Sequence, residues 1–364
     1  MRGRFSIPTI VPVLLLVLAA TPLTHRAAAQ DTYDLGADDA WKLVDSADPA
    51  SPEGQLAAAR RALADKQYAR ARQITDNWLK QHPRHALAPL AYLTRGDALY
   101  FGGNEYKALF DYETIARVYP GSDVFITALE RELAIGRDYA RGGKRKLWGM
   151  RIVGASSEGE ELLIRVQERL PGSNLAEEAG MELGDFYFRR GEMRLAADAY
   201  DLFIQNYPDS PRVTRARQRL IAAHLASSKG PAFDATGLQN ARERLREMRV
   251  LEPAAAEQLG AEGLLAGIDE RMAAKMLVTA RYYLKTNDVI AADLTLRRLL
   301  RKHERTIAAT EAIRLAPEVI ERLSANVRAE AEPFYAAKRL AILGEETVEA
   351  GSETPGGSEG GSQP

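Results

Sequence analysis

The sequence predicts an all-α fold, a solenoid of about five to six stacked helical hairpins. Three observations carry that expectation. The stretch 181–211, MELGDFYFRRGEMRLAADAYDLFIQNYPDSP, holds two amphipathic helical patterns separated by Arg190-Gly191 and closes on a Tyr-Pro turn. Its spacing works as a ruler: from Gly184, a tyrosine falls at plus 3 (Tyr187), glycine at plus 7 (Gly191), alanine at plus 12 (Ala196), an aromatic at plus 16 (Tyr200) and proline at plus 24 (Pro208). The same spacing recurs along the chain, and no strand-period stretch of useful length competes with it.

These offsets are the small, bulky and helix-stopping positions of a tetratricopeptide (TPR) unit, so the fold class is a TPR-type α-solenoid. Ser51-Pro52-Glu53 reads as a helix start, with Ser as N-cap and Pro at the first helical position, where its missing N–H costs nothing. In unit one Ala59, Ala71, Trp78 and Pro83 take the small position, plus 12, plus 19 and plus 24. Unit two is a clean match through Gly96, Ala108, Tyr112, Ile115 and Pro120. Unit three starts at Ser122 as N-cap and carries Gly136, Tyr139 and Gly143, but its closing Pro171 arrives at plus 35, an insertion of eleven residues that includes the loop 142–156. Asn174 and Glu177 are spaced as a capping box ahead of unit four. Unit five begins at Ser210-Pro211, and its two helices are joined by an unusually long connection, residues 229–236. Unit six has a long first helix over 258–285, with Ala280, Tyr283 and Ala292 in register and Glu304 where proline is expected. The division is N-terminal units over 51–171, C-terminal units over 172–304, and two capping helices over 305–344.

The ends read differently. Arg2 and Arg4, the apolar run 7–20 and Ala27-Ala28-Ala29 make residues 1–29 a signal peptide. A membrane anchor competes, but fourteen residues interrupted by Pro8 and Pro12 fall short of the ~20 needed to span. Removal takes away three arginines and no acids, leaving 46 basic against 50 acidic residues in an exported, soluble product. Residues 30–50 are a polar, flexible lead-in in which Trp41, Leu43 and Val44 offer one helical turn that docks. Residues 345–364 carry five acids, five glycines and no base, and are expected to be disordered. The net charge of −1 gives no global basic field for nucleic acid, and the absence of cysteine removes disulfides, thiolate metal sites and cysteine nucleophiles.

Stacked hairpins make a superhelix whose inner wall is lined by first helices, and a small residue at Gly96 or Gly184 lets the second helix approach, faced by the alanine twelve on. The bulky Tyr112, Ile115, Tyr200 and Phe203 are expected against the next hairpin. Exposed first-helix offsets then place Arg60 and Leu63 in unit one, Asp97, Tyr100 and Phe101 in unit two, Arg137 and Arg141 in unit three, and Asp185, Phe188 and Arg189 in unit four. That aromatic and cationic mixture suits an extended or helical peptide. The bland alternative is a solvated face with ordinary inter-repeat packing. In the insertion, Lys144, Arg145, Lys146 and Arg151 surround Trp148, Met150 and Ile152, a group suited to anionic headgroups or an acidic partner, or else to a loop that folds back and buries Trp148.

The signal peptide, the turns YPGSD and NYPDSPR, and the segment ARYYLKTNDVIAADLTLRRLLRKH (280–303) together resemble the outer-membrane assembly factor BamD, or ComL, family over roughly 52–303. The resemblance implies about five TPR units that receive unfolded β-barrel precursors through the N-terminal repeats and dock on a BamA-like machinery through the C-terminal ones. The Tyr-Pro-x-Ser turns are shared with YbgF, the Tol-Pal-associated adaptor, which is the alternative. The BamD family is typically lipid-anchored through a cysteine, and this chain has none. It is therefore expected in the periplasm, held at the outer membrane by a partner or free as a relative with another client.

Catalytic constellations are missing. His82 and His85 flank Pro83, which breaks any shared helical face, and no carboxylate cluster follows. Glu160-Glu161 and Glu177-Glu178 fall in helix first turns, where negative charge suits the dipole. Phosphate-binding Gly-rich loops and a nucleophile elbow are absent. The expectation is a non-enzymatic scaffold without metal or cofactor.

Overall fold

A computed structural model of the chain describes residues 33–35, 41–43, 48–147 and 150–344. The expected signal peptide, residues 1–29, Trp148 and the expected disordered stretch 345–364 lie outside the described residues, as does most of residues 30–50. The chain forms two units, Met1–Gln55 and Leu56–Pro364. In the first, β1 (Tyr33–Leu35) pairs antiparallel with β2 (Trp41–Leu43), with Leu35 opposite Trp41, so the helical turn expected around Trp41 is a strand instead. Ser51 caps the helix that follows, its hydroxyl accepting from the Gly54 N–H at 3.0 Å.

The rest is an all-α, TPR-type solenoid. Helices α1 (Pro52–Ala64), α2 (Tyr68–Gln81), α3 (Ala88–Phe101), α4 (Glu105–Val118) and α5 (Phe125–Ala140) are followed by a hairpin of β3 (Lys144–Leu147) and β4 (Met150–Gly154). Then come α6 (Ser156–Arg169), α7 (Asn174–Arg189), α8 (Met193–Asn206), α9 (Val213–Ala226), α10 (Thr236–Leu251), α11 (Pro253–Gln258), α12 (Ala261–Lys285), α13 (Val289–Lys302), α14 (Ile307–Arg322) and α15 (Ala325–Leu343). From α2 onward each helix packs on its neighbour in sequence, and first helices also meet across units, α5 on α7 and α12 on α14.

The ruler has a physical basis at each mark. Its plus 7 position is the left-handed turn between the two helices: Gly103 and Gly191 sit at φ +77° and +76°. Lys66 and Asn287, at the same offset in units one and six, are the two non-glycine residues with positive φ among the described residues. There an L-residue accepts strain that glycine avoids, asparagine at least cost. The small position is set by an aromatic ring. A Cβ on Gly96 would lie 2.7 Å from Tyr112, and one on Gly184 only 2.5 Å from Tyr200. The plus 16 tyrosine therefore closes on the glycine of its own unit, and it also joins the buried cluster that continues into the next hairpin, together with the plus 12 alanine. Ile115 and Phe203, buried with Ala128 and Ala216, join the hydrophobic clusters that continue into the following helix.

Other departures are local. The insertion is a two-stranded hairpin, with Arg145 opposite Val153 and Lys146 opposite Arg151, so that Ile152 is the extra residue of a bulge. Strands this short and irregular show no two-residue period. Across the insertion Gly136 and Gly159 still meet, a Cβ on Gly159 falling 2.9 Å from the Gly136 carbonyl, so α5 and α6 pair as an ordinary unit. The long helix of unit six breaks at Gly260, which adopts φ +72° between α11 and α12. The cap of α7 is Ser173, accepting from the Ala176 N–H at 3.1 Å, one residue before the expected Asn174. Glu177 faces unit five instead, where it accepts from Ser210 and Arg212. Ser122 likewise donates to the Tyr119 carbonyl in the turn before α5.

Candidate functional site

The first-helix residues form two matching clusters and one ion-pair seam. In unit two, Asp97 is buried at the small-plus-one position of α3 and accepts the Tyr112 hydroxyl at 2.8 Å. Arg131, from α5 of the next unit, donates to the same carboxylate at 2.9 Å and lays its guanidinium over Phe101 at 5.4 Å. Phe101 keeps half its surface exposed, stacked beside Tyr68 at 6.4 Å and tilted against Tyr100 at 5.1 Å.

Unit four repeats the arrangement. The Tyr200 hydroxyl donates to Asp185 at 2.5 Å, Arg215 bonds the other carboxylate oxygen at 3.0 Å, and Arg219 lies 3.7 Å from Asp185 with its guanidinium over Phe188 at 5.6 Å. Burial first, then the adjacent carboxylate, pushes the Tyr112 and Tyr200 hydroxyls far above their ordinary range, so both stay protonated donors.

The cations expected to line a groove are largely engaged. Arg141 binds Glu182 with two donors at 3.1 and 2.6 Å, and Arg189 reaches the same carboxylate at 2.8 Å. Glu182 is nearly inaccessible, and burial alone would raise its carboxyl. The two guanidinium groups outweigh burial and hold it below the usual carboxylate range. Arg137 pairs with Glu178, which also accepts from Arg212. Arg60 is exposed and shares no hydrogen bond or ion pair with the other candidates among the described residues.

Asp97, Tyr100 and Phe101 are thus brought together, as are Asp185 and Phe188, while Arg137, Arg141 and Arg189 stitch α5 to α7. Arg131, Arg219 and Tyr68 escaped the single-unit ruler. Arg131 and Arg219 both stand at plus 35 from their glycines, a recurrence that spans two units.

In the hairpin, Arg151 pairs with Glu105 and donates to the Lys144 carbonyl at 3.2 Å. Arg145 pairs with Glu158 at 3.2 Å and covers the Tyr106 ring at 4.8 Å. Lys144, Met150 and Ile152 face solvent, and Lys146 is half-buried beside Gly103. Among the described residues no group of three or more His, Cys, Asp or Glu side chains is placed to hold a metal, and no helix is long and apolar enough to cross a membrane.

This architecture defines a TPR-type repeat protein whose first-helix face offers aromatic platforms set in paired charge. Residues 154–333, a little under half of the chain, match the YfiO family, described as outer membrane lipoprotein. The matched stretch runs from the end of the hairpin into α15. No curated protein matches the chain. Among solved structures, the C-terminal part of a TPR repeat-containing protein from Cytophaga hutchinsonii is similar at 14% identity, with 72% of this chain and 87% of that chain covered and a TM-score of 0.34. The human IFIT1 dimer with PPP-AAAA is similar at 12% identity, with 81% and 69% covered and a TM-score of 0.24.

Proposed function

We propose that this chain is a non-enzymatic envelope scaffold of BamD type. It is exported to the periplasm, binds unfolded outer-membrane β-barrel precursors on its first-helix face, and docks on a BamA-like assembly machinery through its C-terminal units. The observation that carries the reading is the match of residues 154–333 to an outer-membrane lipoprotein family. In support, the Phe101 and Phe188 platforms each present an aromatic ring under a fixed guanidinium, suited to apolar side chains and carbonyl oxygens of an extended segment. Retention at the outer membrane through a protein partner is part of the same proposal. The hairpin, with Lys144, Met150 and Ile152 outward, is a candidate for peripheral contact with anionic lipid; removing residues 144–151 should then reduce sedimentation with anionic vesicles.

Affinity capture of the tagged protein from envelope extract tests the main reading. Recovery of a BamA-like protein is expected. Recovery of Pal or TolA without one would favour the YbgF-type alternative and overturn the proposal. For the face itself, replacing Tyr100 and Phe101 together with alanine should weaken binding of an unfolded β-barrel segment while leaving the helical circular dichroism intact; unchanged affinity would exclude that face.

A further inference from the structure

The connection between α9 and α10, long for a helical hairpin, borders a recess of about 440 Å3 that two units share. Leu225, Pro231 and Leu238 come from the α9–α10 pair, and Arg271, Ala274 and Lys275 from α12. This volume is near the lower end of ordinary ligand pockets, roughly 300–1,000 Å3, with room for one large side chain and its main chain. The connection is fastened on both sides. The Lys275 ammonium donates to the Phe233 carbonyl, and Asp234 accepts from the Thr236 N–H at 3.2 Å and its hydroxyl at 2.9 Å.

The charges in the recess are not equivalent. Asp234 is turned toward the start of α10; the bonds from Thr236 chiefly, and to a smaller degree the Lys275 charge, hold its carboxyl below the usual range. Lys275 is engaged by the connection it clamps. Arg271, one turn earlier on α12, is exposed and has no hydrogen bond or ion pair among the described residues. The recess therefore joins an apolar wall to an uncompensated guanidinium, which is a match for an anion bonded directly to an apolar group.

We propose that this recess receives the C-terminal residue of a partner polypeptide, its carboxylate on Arg271 and its apolar side chain against Leu225, Leu238 and Ala274. A chain terminus fits better than an internal acid because the carboxylate and the side chain share one Cα, so a single residue supplies both halves of the complement. An internal Asp or Glu must borrow the apolar group from a neighbour and also pass the chain out of a recess bounded by the connection. The assignment stands apart from the first-helix face and from the identity of any client bound there.

The test uses the full chain and a fluorescently labelled hexapeptide ending in leucine, prepared as the free acid and as the amide. Saturable binding of the acid is expected, with the amide weaker by roughly ten- to hundredfold, the range for loss of one charge-assisted contact. Arg271→Gln should bring the acid down to the amide's affinity while leaving the amide unchanged, and Arg271→Lys should restore part of the difference. Because Arg271 is exposed, both variants are expected to keep the parent circular dichroism. Equal affinity of acid and amide, insensitivity to Arg271→Gln, or no binding of the acid would each overturn the proposal.

Discussion

A tyrosine hydroxyl decides what the acid beside each small glycine can do. At Asp97 and Asp185 the plus 16 tyrosine and the plus 35 arginine take up the carboxylate before any ligand arrives. The acids that a one-unit ruler places on a binding wall therefore act inside it, fixing a guanidinium over Phe101 or Phe188. The sequence announced the glycine and the tyrosine because steric exclusion fixes residue type at a fixed spacing. It did not announce the pairing with arginine, which depends on how two units stack. Gly184→Ala should cost about 1–3 kcal/mol, since its methyl would lie 2.5 Å from a buried ring that cannot withdraw, read as a fall in the urea midpoint. Gly121→Ala, with nothing within 4 Å, is the matched control and should be near neutral. Tyr200→Phe should cost roughly 1 kcal/mol, the worth of one hydrogen bond, because Arg215 and Arg219 continue to satisfy Asp185.

At the scale of elements, α5 carries a buried acid that makes one helix interface sensitive to pH. Glu132 is wholly inaccessible; Arg169 donates to it at 2.8 Å while also binding Glu113, to which Arg165 donates as well, and the Glu132 Oε1 atom has no hydrogen-bond partner among the described residues. Burial pushes its carboxyl up to about 7 against an ordinary value of 4.5, the attraction of Arg169 offsetting only part of the cost. The folded state thus binds this proton more tightly than the unfolded state does. Its contribution to stability is greatest below the unfolded value near 4.5 and is lost as pH rises through about 7. Between those limits the wild-type protein should lose stability relative to Glu132→Gln by up to about 1.4 kcal/mol per pH unit, measured as the difference between two urea series. A constant difference from pH 5 to 8 would mean that Glu132 keeps one ionisation state throughout.

The inserted hairpin makes the opposite case, an element attached to the array without building it. Arg151 and Arg145 tie it to Glu105 and Glu158, but Gly136 and Gly159 bring α5 and α6 together without its help. Replacing residues 144–154 by a short Asn-Gly link should therefore leave the helical signal per helical residue unchanged, with the unfolding free energy changed by no more than about 1 kcal/mol, as surface ion pairs allow. In the sequence this stretch was legible as an interruption of the repeat. Its strands were not, because four or five residues with a bulge never alternate long enough to show a period.

Over the whole molecule, stability passes from neighbour to neighbour, and the end of the array matters as much as its middle. The first-helix small residue, the left-handed turn and the plus 16 aromatic were readable one unit at a time, which is why the array was legible and the inter-unit arginines were not. The pair α14–α15 is the last among the described residues. It covers Leu296, Leu299 and Leu300 of α13 with Ile313 and Val319, and the Tyr335 hydroxyl donates to buried Asp293 at 2.8 Å. Ending the chain at Glu304 would open that apolar face, each fully buried side chain being worth about 1.5–3 kcal/mol, and would leave Asp293 with Arg297 alone. In a nearest-neighbour array the loss should be graded by distance. Hydrogen exchange of the truncated chain should show protection falling most in α13, less in α12, and staying at the parent level in α3 and α4, with a dye for exposed apolar surface binding in parallel. Uniform loss of protection down to α3 would show one cooperative body in place of coupled units, and unchanged protection in α13 would show that the pair α14–α15 stabilises nothing.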